Sequence, residues 1–294
     1  MTQPFEYYRP CSHTEAVNLL AREDVHCLPL IIHPKPADPH RLGADAFVDL
    51  SLLGLNELQM DVDGTLHLGS LVTIQKLVDD PILSNGEFSL LSQAASLVAT
   101  PGIRNLATVW GAVVAQEGPP EITLALLALD ANIAIRKADE SLQTFPFSQF
   151  LDRLPGSLAK TDLITEFILP PQKDSISALE RVARTPRDEA IVAAAAVLYI
   201  ENGTSPRVNL AVAGAYSNPQ RLPNVEGIMS GQTLTPKLLD QACSITMESA
   251  GPVSDFRGSA KYRRSIAGVV VRRVLLKVWE QALLTGLVAE RSDQ

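Results

Sequence analysis

Four side chains near the start of the sequence have the chemistry to bind a metal ion: His26, Cys27, His33 and His40. Imidazole and thiolate groups are the common ligands of zinc, and structural zinc sites space them a few residues apart in regular pairs. Here the separations are one, six and seven residues, and three prolines fall within residues 34–39. This spacing matches no common zinc pattern, so we interpret the four as loop and surface residues and expect no metal in this chain.

Two carboxylates, Glu117 and Glu121, lie four residues apart and have the chemistry of a general acid–base pair. They also fall at the start of a predicted helix, where negative charge complements the helix dipole. We favour this structural interpretation. A second group of polar residues is predicted to hold the C-terminal part of the chain together, namely Asp255, Arg257, Tyr262 and Arg263.

The three cysteines, Cys11, Cys27 and Cys243, lie far apart and form no CxxC motif. This usage is typical of a reducing compartment, so we expect a cytoplasmic protein without a disulfide framework. An iron–sulfur cluster normally requires four thiolates, so the chain alone is not expected to hold one.

Composition narrows the class of protein further. The chain has 294 residues, of which 46% are hydrophobic and 20% charged, which indicates folded domains and allows two of ordinary size. Its net charge of -8 argues against nucleic-acid binding, and no apolar run is long enough to predict a membrane span. The start, MTQPFEYYRP, has no secretory features, so no leader is expected. The one dense basic cluster, residues 257–273, alternates with apolar residues and is interpreted as a helix surface or subunit contact.

Hydrophobic periodicity predicts the elements of the first part of the chain. Ser12 and Glu15 form a capping box at the start of a helix, and short strands follow at residues 27–32 and 47–50. Residues 58–68 alternate apolar and polar residues around Asp63-Gly64, which predicts a hairpin with a type I′ turn. Three further helices and two strands are predicted at residues 73–79, 88–99, 121–129, 131–136 and 162–169.

Pro170-Pro171 is the predicted domain boundary, because two prolines end the preceding strand. Beyond it, two strands are followed by two helices, predicted at residues 191–200, 208–213, 236–247 and 258–284. The last helix is expected to break or bend around Gly268. This order is typical of an α+β domain.

Several segments resemble one family, the FAD-binding subunit of the molybdenum hydroxylases, of the xanthine dehydrogenase and aerobic carbon monoxide dehydrogenase type. TPGIRNLATVWGAVVAQEGPPEITLALLALDA, from residue 100, aligns without a gap on the family's PxIRNxAT stretch, glycine turn and following helix. GPVSDFRGSAKYRRSIAGVVVRRVL, from residue 251, resembles the family's SDxRxSAxYR element. FEYYRPCSHTEAVNLLA, LHLGSLVTIQKLVDDP and DLITEFILP match as well, so the resemblance covers nearly the whole chain.

The resemblance implies an α+β fold with two domains. Residues 1–172 would form a two-lobed FAD-binding domain, with lobes of about 1–53 and 54–172, and residues 173–294 a smaller α+β domain. It implies two partners, a molybdenum-cofactor large subunit and a 2Fe–2S small subunit, with electrons passing from the clusters through FAD to an acceptor. Arg184 and Asp188 resemble an Arg…Asp element of the family, where we expect a structural ion pair.

The resemblance also indicates which residues face the cofactor: Leu28, Pro29, Leu30, Ile31, Thr108, Val109, Trp110, Gly111, Ala112, Glu117, Glu121 and Ile164. A diphosphate is held by backbone N–H groups and by glycines that let the chain approach closely. The family's first loop reads Ala-Gly-Gly-Thr/Ser, but both glycines are absent from residues 27–31, and Pro29 has no N–H to donate.

The second loop departs from the family pattern as well. Thr-Ile-Gly-Gly-Asn has become residues 108–112, in which Trp110 replaces a glycine and Ala112 the asparagine. The family's Ser-Pro-x-x-Asp element has become residues 117–121, with Glu117 in place of the serine. An indole at position 110 would either occupy space that the cofactor needs or pack in the core.

These changes leave three hypotheses open. The chain is an electron-passing flavin subunit, or a docking subunit that kept the fold and lost the cofactor, or, third, a small-molecule sensor that uses the emptied cleft. The chain keeps the residues typical of the fold and lacks those that bind the ligand, which favours the docking subunit. Family membership favours the electron-passing flavin subunit.

Overall fold

The structure, a computed structural model, describes residues 6–34, 43–84, 86–114, 120–154, 156, 158–186, 188–201, 205–285 and 287. Its strands are β1 Glu6–Tyr8, β2 Cys27–Pro29, β3 Ala46–Val48, β4 Leu58–Met60, β5 Leu66–Gly69, β6 Asn132–Arg136, β7 Leu142–Pro146, β8 Leu163–Leu169, β9 Ser175–Val182, β10 Val192–Glu201, β11 Ser205–Ala213 and β12 Gln220–Arg221. Its helices are α1 His13–Leu20, α2 Ile74–Asp79, α3 Pro81–Ser84, α4 Ser89–Leu97, α5 Pro101–Arg104, α6 Val109–Val114, α7 Glu121–Ala128, α8 Phe147–Asp152, α9 Pro223–Met229, α10 Pro236–Ser249 and α11 Ala260–Leu284.

The chain forms two compact units that interleave along the sequence. The first contains the described residues within Met1–Lys76, Ala99–Pro119 and Ala131–Pro170, and the second those within Leu77–Val98, Pro120–Asp130 and Pro171–Gln294. Helices α4 and α7 therefore lie in the same unit as the C-terminal part of the chain, although they precede the proline boundary in sequence.

The first unit contains two sheets. A small parallel sheet has the order β1-β3-β2, and a five-stranded antiparallel sheet has the order β4-β5-β8-β6-β7. The central strand of the larger sheet, β8, alternates buried and half-buried residues in its second half, as expected where the two faces differ. The register shifts between Ala134 and Ile135 of β6, which leaves Thr165 of β8 as the extra residue of a β-bulge.

The capping box before α1 is confirmed with one change. The Ser12 hydroxyl accepts a hydrogen bond from the Glu15 N–H at 3.2 Å, as predicted. The Glu15 carboxylate accepts one from the Cys11 N–H at 2.8 Å, one residue earlier than the standard box. Each of these two hydrogen bonds joins residues only three or four positions apart, which is why a local sequence pattern predicts them.

The hairpin of β4 and β5 is confirmed, but its predicted type I′ turn is wrong. Leu58 pairs with Leu68 and Met60 with Leu66, in the expected antiparallel register. A type I′ turn needs positive φ at both central residues, yet only Gly64 is positive, with φ 93°. Gly64 N–H donates to the Asp61 carbonyl at 3.0 Å, so the turn spans residues 61–64, with the positive-φ glycine as its last residue in a bulge.

The second unit packs helices α9, α10 and α11 on the antiparallel sheet β12-β11-β10-β9. Strand β10 is central and almost entirely apolar, and every residue of it from Val192 to Ile200 is buried. Helix α7 is apolar on all sides apart from Glu121 and Thr123, and all eight of its residues are buried.

We expected α11 to break or bend around Gly268; the helix runs unbroken over 25 residues, so a break there is wrong. The glycine has a packing reason instead, since an added Cβ would lie 3.1 Å from Met247 Cγ of α10. The predicted pairing of Arg184 with Asp188 is also wrong. Arg184 donates to the Phe256 carbonyl at 3.0 Å, and Asp188 accepts from the Thr185 N–H at 3.1 Å.

Within the described part of the chain, no helix is long and apolar enough to cross a bilayer.

Candidate functional site

The first predicted cofactor segment follows strand β2 in the small parallel sheet. Leu28 and Pro29 pair in register with Phe47 and Val48 of β3, and both are half-buried. The Leu30 N–H donates to the Val48 carbonyl at 2.8 Å, which extends the strand contact by one residue. Proline at position 29 has no N–H, so these three positions offer little hydrogen-bond donation to a ligand.

The second predicted segment, residues 108–112, forms the start of helix α6. Its first three N–H groups are bonded to carbonyls from elsewhere in the chain. The Thr108 N–H donates to the Ile32 carbonyl at 3.1 Å, that of Val109 to Val72 at 3.0 Å, and that of Trp110 to Ser70 at 2.9 Å. A helix start normally leaves these donors free for caps, water or anions. At this turn they hold the loops of the first unit together.

The last two N–H groups of the segment are satisfied within the turn itself. Gly111 donates to the Thr108 hydroxyl at 3.1 Å, and Ala112 to the Thr108 carbonyl at 2.9 Å. All five backbone donors of residues 108–112 therefore have protein acceptors. A cradle for phosphate oxygens requires such donors to point at the ligand.

Gly111 lies against the chain that directly follows the first predicted segment. A Cβ added there would lie 2.1 Å from the Ile32 carbonyl oxygen, far inside van der Waals contact. The ring of His33 adds a bond, since its Nδ1 lies 2.9 Å from the Gly111 carbonyl and must donate to it. The glycine at position 111 is thus explained by the close passage of residues 32–33, which directly follow Leu30 and Ile31.

Trp110 and Ala112, the two residues of the turn that depart from the family pattern, are both buried. The exposed fraction is 2% for Trp110 and 3% for Ala112. Of the two alternatives for the indole, packing in the interior matches this burial, because a side chain lining an open cleft would retain accessible surface. Thr108 and Val109 are buried as well.

Ile164 joins the same cluster through a serine. The Ser70 hydroxyl donates to the Ile164 carbonyl at 2.5 Å, and the Ser70 carbonyl accepts from Trp110. Ser70 is itself fully buried and its N–H donates to Thr165 at the bulge of β8. The structure therefore brings together residues 108–112, the chain after Leu30 and Ile164 within the first unit.

Glu121 belongs to the second unit and forms a buried ion pair. Its Oε1 accepts from Arg181 Nη1 at 2.9 Å, and the carboxylate has no exposed surface. Burial raises the pKa of this carboxyl, against the opposing effect of Arg181. Glu121 Oε2 has no hydrogen-bond partner among the described residues. Glu117, the other predicted carboxylate, lies outside the described residues.

The histidines near the first segment bond to backbone carbonyls. His26 Nδ1 lies 2.7 Å from the Gly43 carbonyl oxygen, and His33 bonds Gly111 as described above. His40 lies outside the described residues. Among the residues that the structure describes, no group of three or more His, Cys, Asp or Glu side chains could hold a metal ion.

The sequence did not mark Ser70 or Ile32, and His33 was interpreted only as a loop or surface residue, although all three join the site. Ser70 carries no motif and stands directly after a strand, so no local pattern marks it. Ile32 acts through its carbonyl oxygen, which any residue would supply. Only the retained glycine at position 111 signalled that a backbone passes close by.

Comparison with known proteins agrees with the resemblance seen in the sequence. Residues 3–172 match the family model for the FAD binding domain in molybdopterin dehydrogenase. Residues 177–278 match that for the CO dehydrogenase flavoprotein C-terminal domain.

Curated relatives cover nearly the full chain. The nicotine 6-hydroxylase medium subunit of Paenarthrobacter nicotinovorans is 27% identical over 274 residues, which is 92% of this chain and 96% of the relative. The carbon monoxide dehydrogenase medium chain of Afipia carboxidovorans is 25% identical and covers 92% of this chain and 95% of its own.

Among solved structures, the carbon monoxide dehydrogenase from Hydrogenophaga pseudoflava that lacks the Mo-pyranopterin moiety superposes with a TM-score of 0.82 at 24% identity. The match covers 96% of this chain and 99% of that one, which confirms the predicted mixed helix and sheet fold with a FAD-binding-type domain and a C-terminal domain. With a family model that spans more than half of its residues, the chain belongs to the family of flavin-type medium subunits of the molybdenum hydroxylases.

Proposed function

We propose that this chain is a docking subunit of a molybdenum hydroxylase in which the flavin turn is closed, so that FAD binds weakly or not at all. The observation that carries the proposal is the bonding of residues 108–112, where each of the five N–H groups already donates to a protein acceptor. A diphosphate bound there would have to break those bonds or find other donors.

The first segment supports the same proposal. Pro29 cannot donate a hydrogen bond, and the Leu30 N–H is bonded to Val48. The glycine that remains is Gly111, and the Ile32 carbonyl occupies the space beside it where a Cβ would stand. Because the Ile32 carbonyl occupies this space, a phosphate oxygen cannot approach the Gly111 backbone from the same side.

The expected loss of affinity is large. A hydrogen bond to a charged group contributes about 1.5–3 kcal/mol, and about 1.4 kcal/mol corresponds to a tenfold change in affinity. Three or four missing bonds would therefore weaken FAD binding by several powers of ten. A site of nanomolar affinity would become micromolar or weaker.

Docking is the part of the function that these changes leave in place. We propose as partners a molybdenum-cofactor large subunit and a 2Fe–2S small subunit, because the relatives are medium subunits. The proposed domains remain residues 1–172, with lobes of about 1–53 and 54–172, and 173–294. A cytoplasmic location is proposed from the unpaired, scattered cysteines.

The second candidate is an electron-passing flavin subunit, favoured by the family match over residues 3–172. In that case FAD would have to bind through donors other than those of residues 108–112 and Leu30. Of the other predicted positions, Leu28, Ile31 and Ile164 have apolar side chains, so only their backbone groups could hydrogen-bond the cofactor.

The two candidates are separated by an absorbance spectrum of the purified protein and a titration with FAD followed by flavin fluorescence. We expect a colourless protein that leaves FAD fluorescence unchanged at tens of micromolar while its circular dichroism shows a folded chain. Riboflavin, which lacks the diphosphate, is the matched control for binding of the ring alone. Visible flavin bands, or saturable FAD binding at or below micromolar concentration, would contradict the closed turn and support the electron-passing subunit.

A further inference from the structure

His67, in strand β5 of the first unit, has a carboxylate beside each of its two ring nitrogens. Its Nδ1 lies 2.8 Å from Glu166 Oε2 of β8, and its Nε2 lies 3.3 Å from Asp61 Oδ2 of the hairpin turn. His67 and Glu166 are half-buried and Asp61 is exposed, so protons from solvent reach the cluster. An ionised carboxylate can only accept a hydrogen bond, so each nitrogen of His67 must donate for both contacts to form.

The two contacts together require the charged form of the imidazole. A neutral ring has one N–H and one nitrogen with a lone pair, so it can donate to only one of the two carboxylates. The lone pair of the other nitrogen would then face a negative charge. The imidazolium, in contrast, bonds Glu166 and Asp61 at the same time, and it thereby links β8 to the hairpin turn across β5.

The charged groups around His67 carry negative charge. Strand β5 pairs with β4 on one side and with β8 on the other. Strand β8 contributes Glu166, and the turn contributes Asp61 and Asp63. The three residues of β4 are not titratable, and Glu57 directly precedes them. Negative charge near an imidazole favours its protonated form.

The sign of the pH dependence follows from these neighbours. Burial acts to lower the pKa of His67, but the hydrogen bonds and charges of Glu166 and Asp61 outweigh burial and raise that pKa above its usual value. The folded chain therefore holds the proton more tightly than the unfolded chain. Stabilisation by the two contacts is complete below the unfolded pKa of about 6.5, and it is lost as the pH rises through the higher pKa of the folded chain.

Loss of the proton breaks the contact with Asp61 rather than the contact with Glu166. The Asp61 side chain is 61% exposed and that of Glu166 is 29% exposed, and the Asp61 oxygen is also the more distant of the two. Water replaces an exposed partner at little cost. The neutral ring therefore keeps its N–H on Nδ1, bonded to Glu166, and the turn loses its bond to the ring.

The hairpin that carries Asp61 is a short attachment at the edge of the sheet. Strand β4 is an edge strand, and its three residues pair with β5. The turn is closed by two backbone bonds, from the Gly64 N–H to the Asp61 carbonyl at 3.0 Å and from the Asp61 N–H to the Thr65 carbonyl at 2.9 Å. Short edge hairpins open locally at a low free energy, so one ion pair changes how often this turn opens.

We propose that His67 is a proton-dependent latch, which fastens the turn of residues 61–64 to strand β8 when the ring is charged and releases the turn when the ring is neutral. The latch belongs to the hairpin of the first unit and is separate from the proposed docking function.

The first test is an NMR titration of the His67 ring in the full chain, with His67→Gln used to assign its signals. The midpoint should lie above about 6.5 in the unchanged protein. Asp61→Asn and Glu166→Gln should each lower it, because each removes a negative charge beside the ring. Asp152→Asn, which removes an exposed carboxylate of α8 in the same unit, is the matched control and should leave the midpoint unchanged.

The second test is hydrogen exchange at the amides of Asp61 and Gly64, which report opening of the turn. Protection, corrected for the intrinsic effect of pH on exchange, should fall about two- to fivefold between about pH 6 and about pH 8.5, as expected for loss of an exposed ion pair. In His67→Gln the protection should be equal at both pH values. The Leu30 amide, bonded to Val48 in the small sheet, is the control within the same molecule and should show no such fall.

Three results would overturn the proposal. A midpoint for His67 at or below about 6.5 in the unchanged protein would show that the carboxylates do not hold the proton, and this result needs no substitution. A midpoint that Asp61→Asn leaves unchanged, in a variant whose thermal unfolding shows that it is folded, would remove the turn from the latch. A fall in protection that persists in His67→Gln would assign the pH dependence to another group.

Discussion

At the scale of single residues, Gly111 has a packing role that does not depend on a bound ligand. In a nucleotide-binding turn a glycine lets the backbone approach a phosphate. Here the atom that approaches is the Ile32 carbonyl oxygen, 2.1 Å from where a Cβ would stand. The packing of the first unit therefore requires glycine at position 111.

Gly111→Ala should therefore destabilise the protein whether or not FAD is present. The new methyl group would push against backbone atoms, and overpacking of this kind costs about 1–3 kcal/mol or more. Equilibrium unfolding in urea measures the change. Gly102→Ala is the matched control, since an added Cβ at Gly102 meets nothing within 4 Å. It should be neutral or stabilising by about 0.5–1 kcal/mol.

A Gly111→Ala protein as stable as its parent would mean that the chain around Ile32 relaxes without cost. The close contact between the two loops would then not be a constraint on the fold, and the closed turn would lose part of its support. The comparison with Gly102→Ala separates this outcome from a general effect of alanine on helix propensity.

At the scale of elements, helix α7 is held at both ends within the second unit. At its start Glu121 pairs with Arg181. At its end Asn209 Nδ2 donates to the Ala128 carbonyl at 2.9 Å, and Gln172 Nε2 donates to the Leu129 carbonyl at 3.1 Å. These side chains satisfy carbonyls that a helix end leaves without partners, so α7 needs residues that lie far away in sequence.

Asn209→Ala should loosen the end of α7. Asn209 is 1% exposed, its Oδ1 also accepts from Arg207 and Arg221, and its Nδ2 also donates to the Tyr199 hydroxyl, so four polar groups would lose a partner. The expected loss is about 2–3 kcal/mol in the free energy of unfolding. Asn18→Ala, at an exposed position of α1, is the control and should change stability by less than about 0.5 kcal/mol.

Hydrogen exchange locates the effect of Asn209→Ala. Amides of α7 should exchange faster, while those of α1 should be unchanged. Equal protection of α7 in the variant and the parent would show that burial alone holds this helix, and that the hydrogen bonds at its end are dispensable.

The elements also show which features a sequence reveals. The hairpin of β4 and β5, helix α1 and its cap, and helices α7 and α10 follow from patterns within a few residues, and all were predicted close to their observed bounds. Strand β9 was missed because Ser175–Val182 mixes small, charged and apolar residues and gains its place by pairing with β10. The turn of the hairpin was mistaken because Asp63-Gly64 suits more than one turn type.

The candidate site was predictable to a smaller degree. The residues of the turn, 108–112, were identified from the resemblance, and the structure brings them together with the chain after Leu30 and with Ile164. The acceptors of the first three N–H groups could not be predicted, because Ile32, Val72 and Ser70 accept through backbone carbonyls, which have no sequence signature. Glu121 was expected to complement a helix dipole, but its partner Arg181 lies 60 residues away in the chain.

At the scale of the whole molecule, the compact units do not follow the order of the sequence. The second unit combines residues on both sides of Pro170-Pro171, since it includes α4 and α7 as well as everything after the prolines. Helix α7 contributes eight buried residues, and buried apolar area is the main source of folding stability. The compact units therefore differ from the proposed domains, which divide at residue 172, in the assignment of α4 and α7.

This interleaving predicts that a fragment of residues 171–294 does not fold alone. Without α7, Asn209 and Gln172 lose their carbonyl acceptors and Arg181 loses Glu121, while the apolar surface that α7 covers becomes exposed to water. The fragment should lack a cooperative thermal transition by circular dichroism and should bind a dye that reports exposed apolar surface. Co-expression with residues 1–170 should restore a cooperative transition if α4 and α7 are supplied in trans. A fragment of residues 171–294 that unfolds cooperatively by itself would instead establish it as an independent domain, with α7 an accessory that packs on a core already complete.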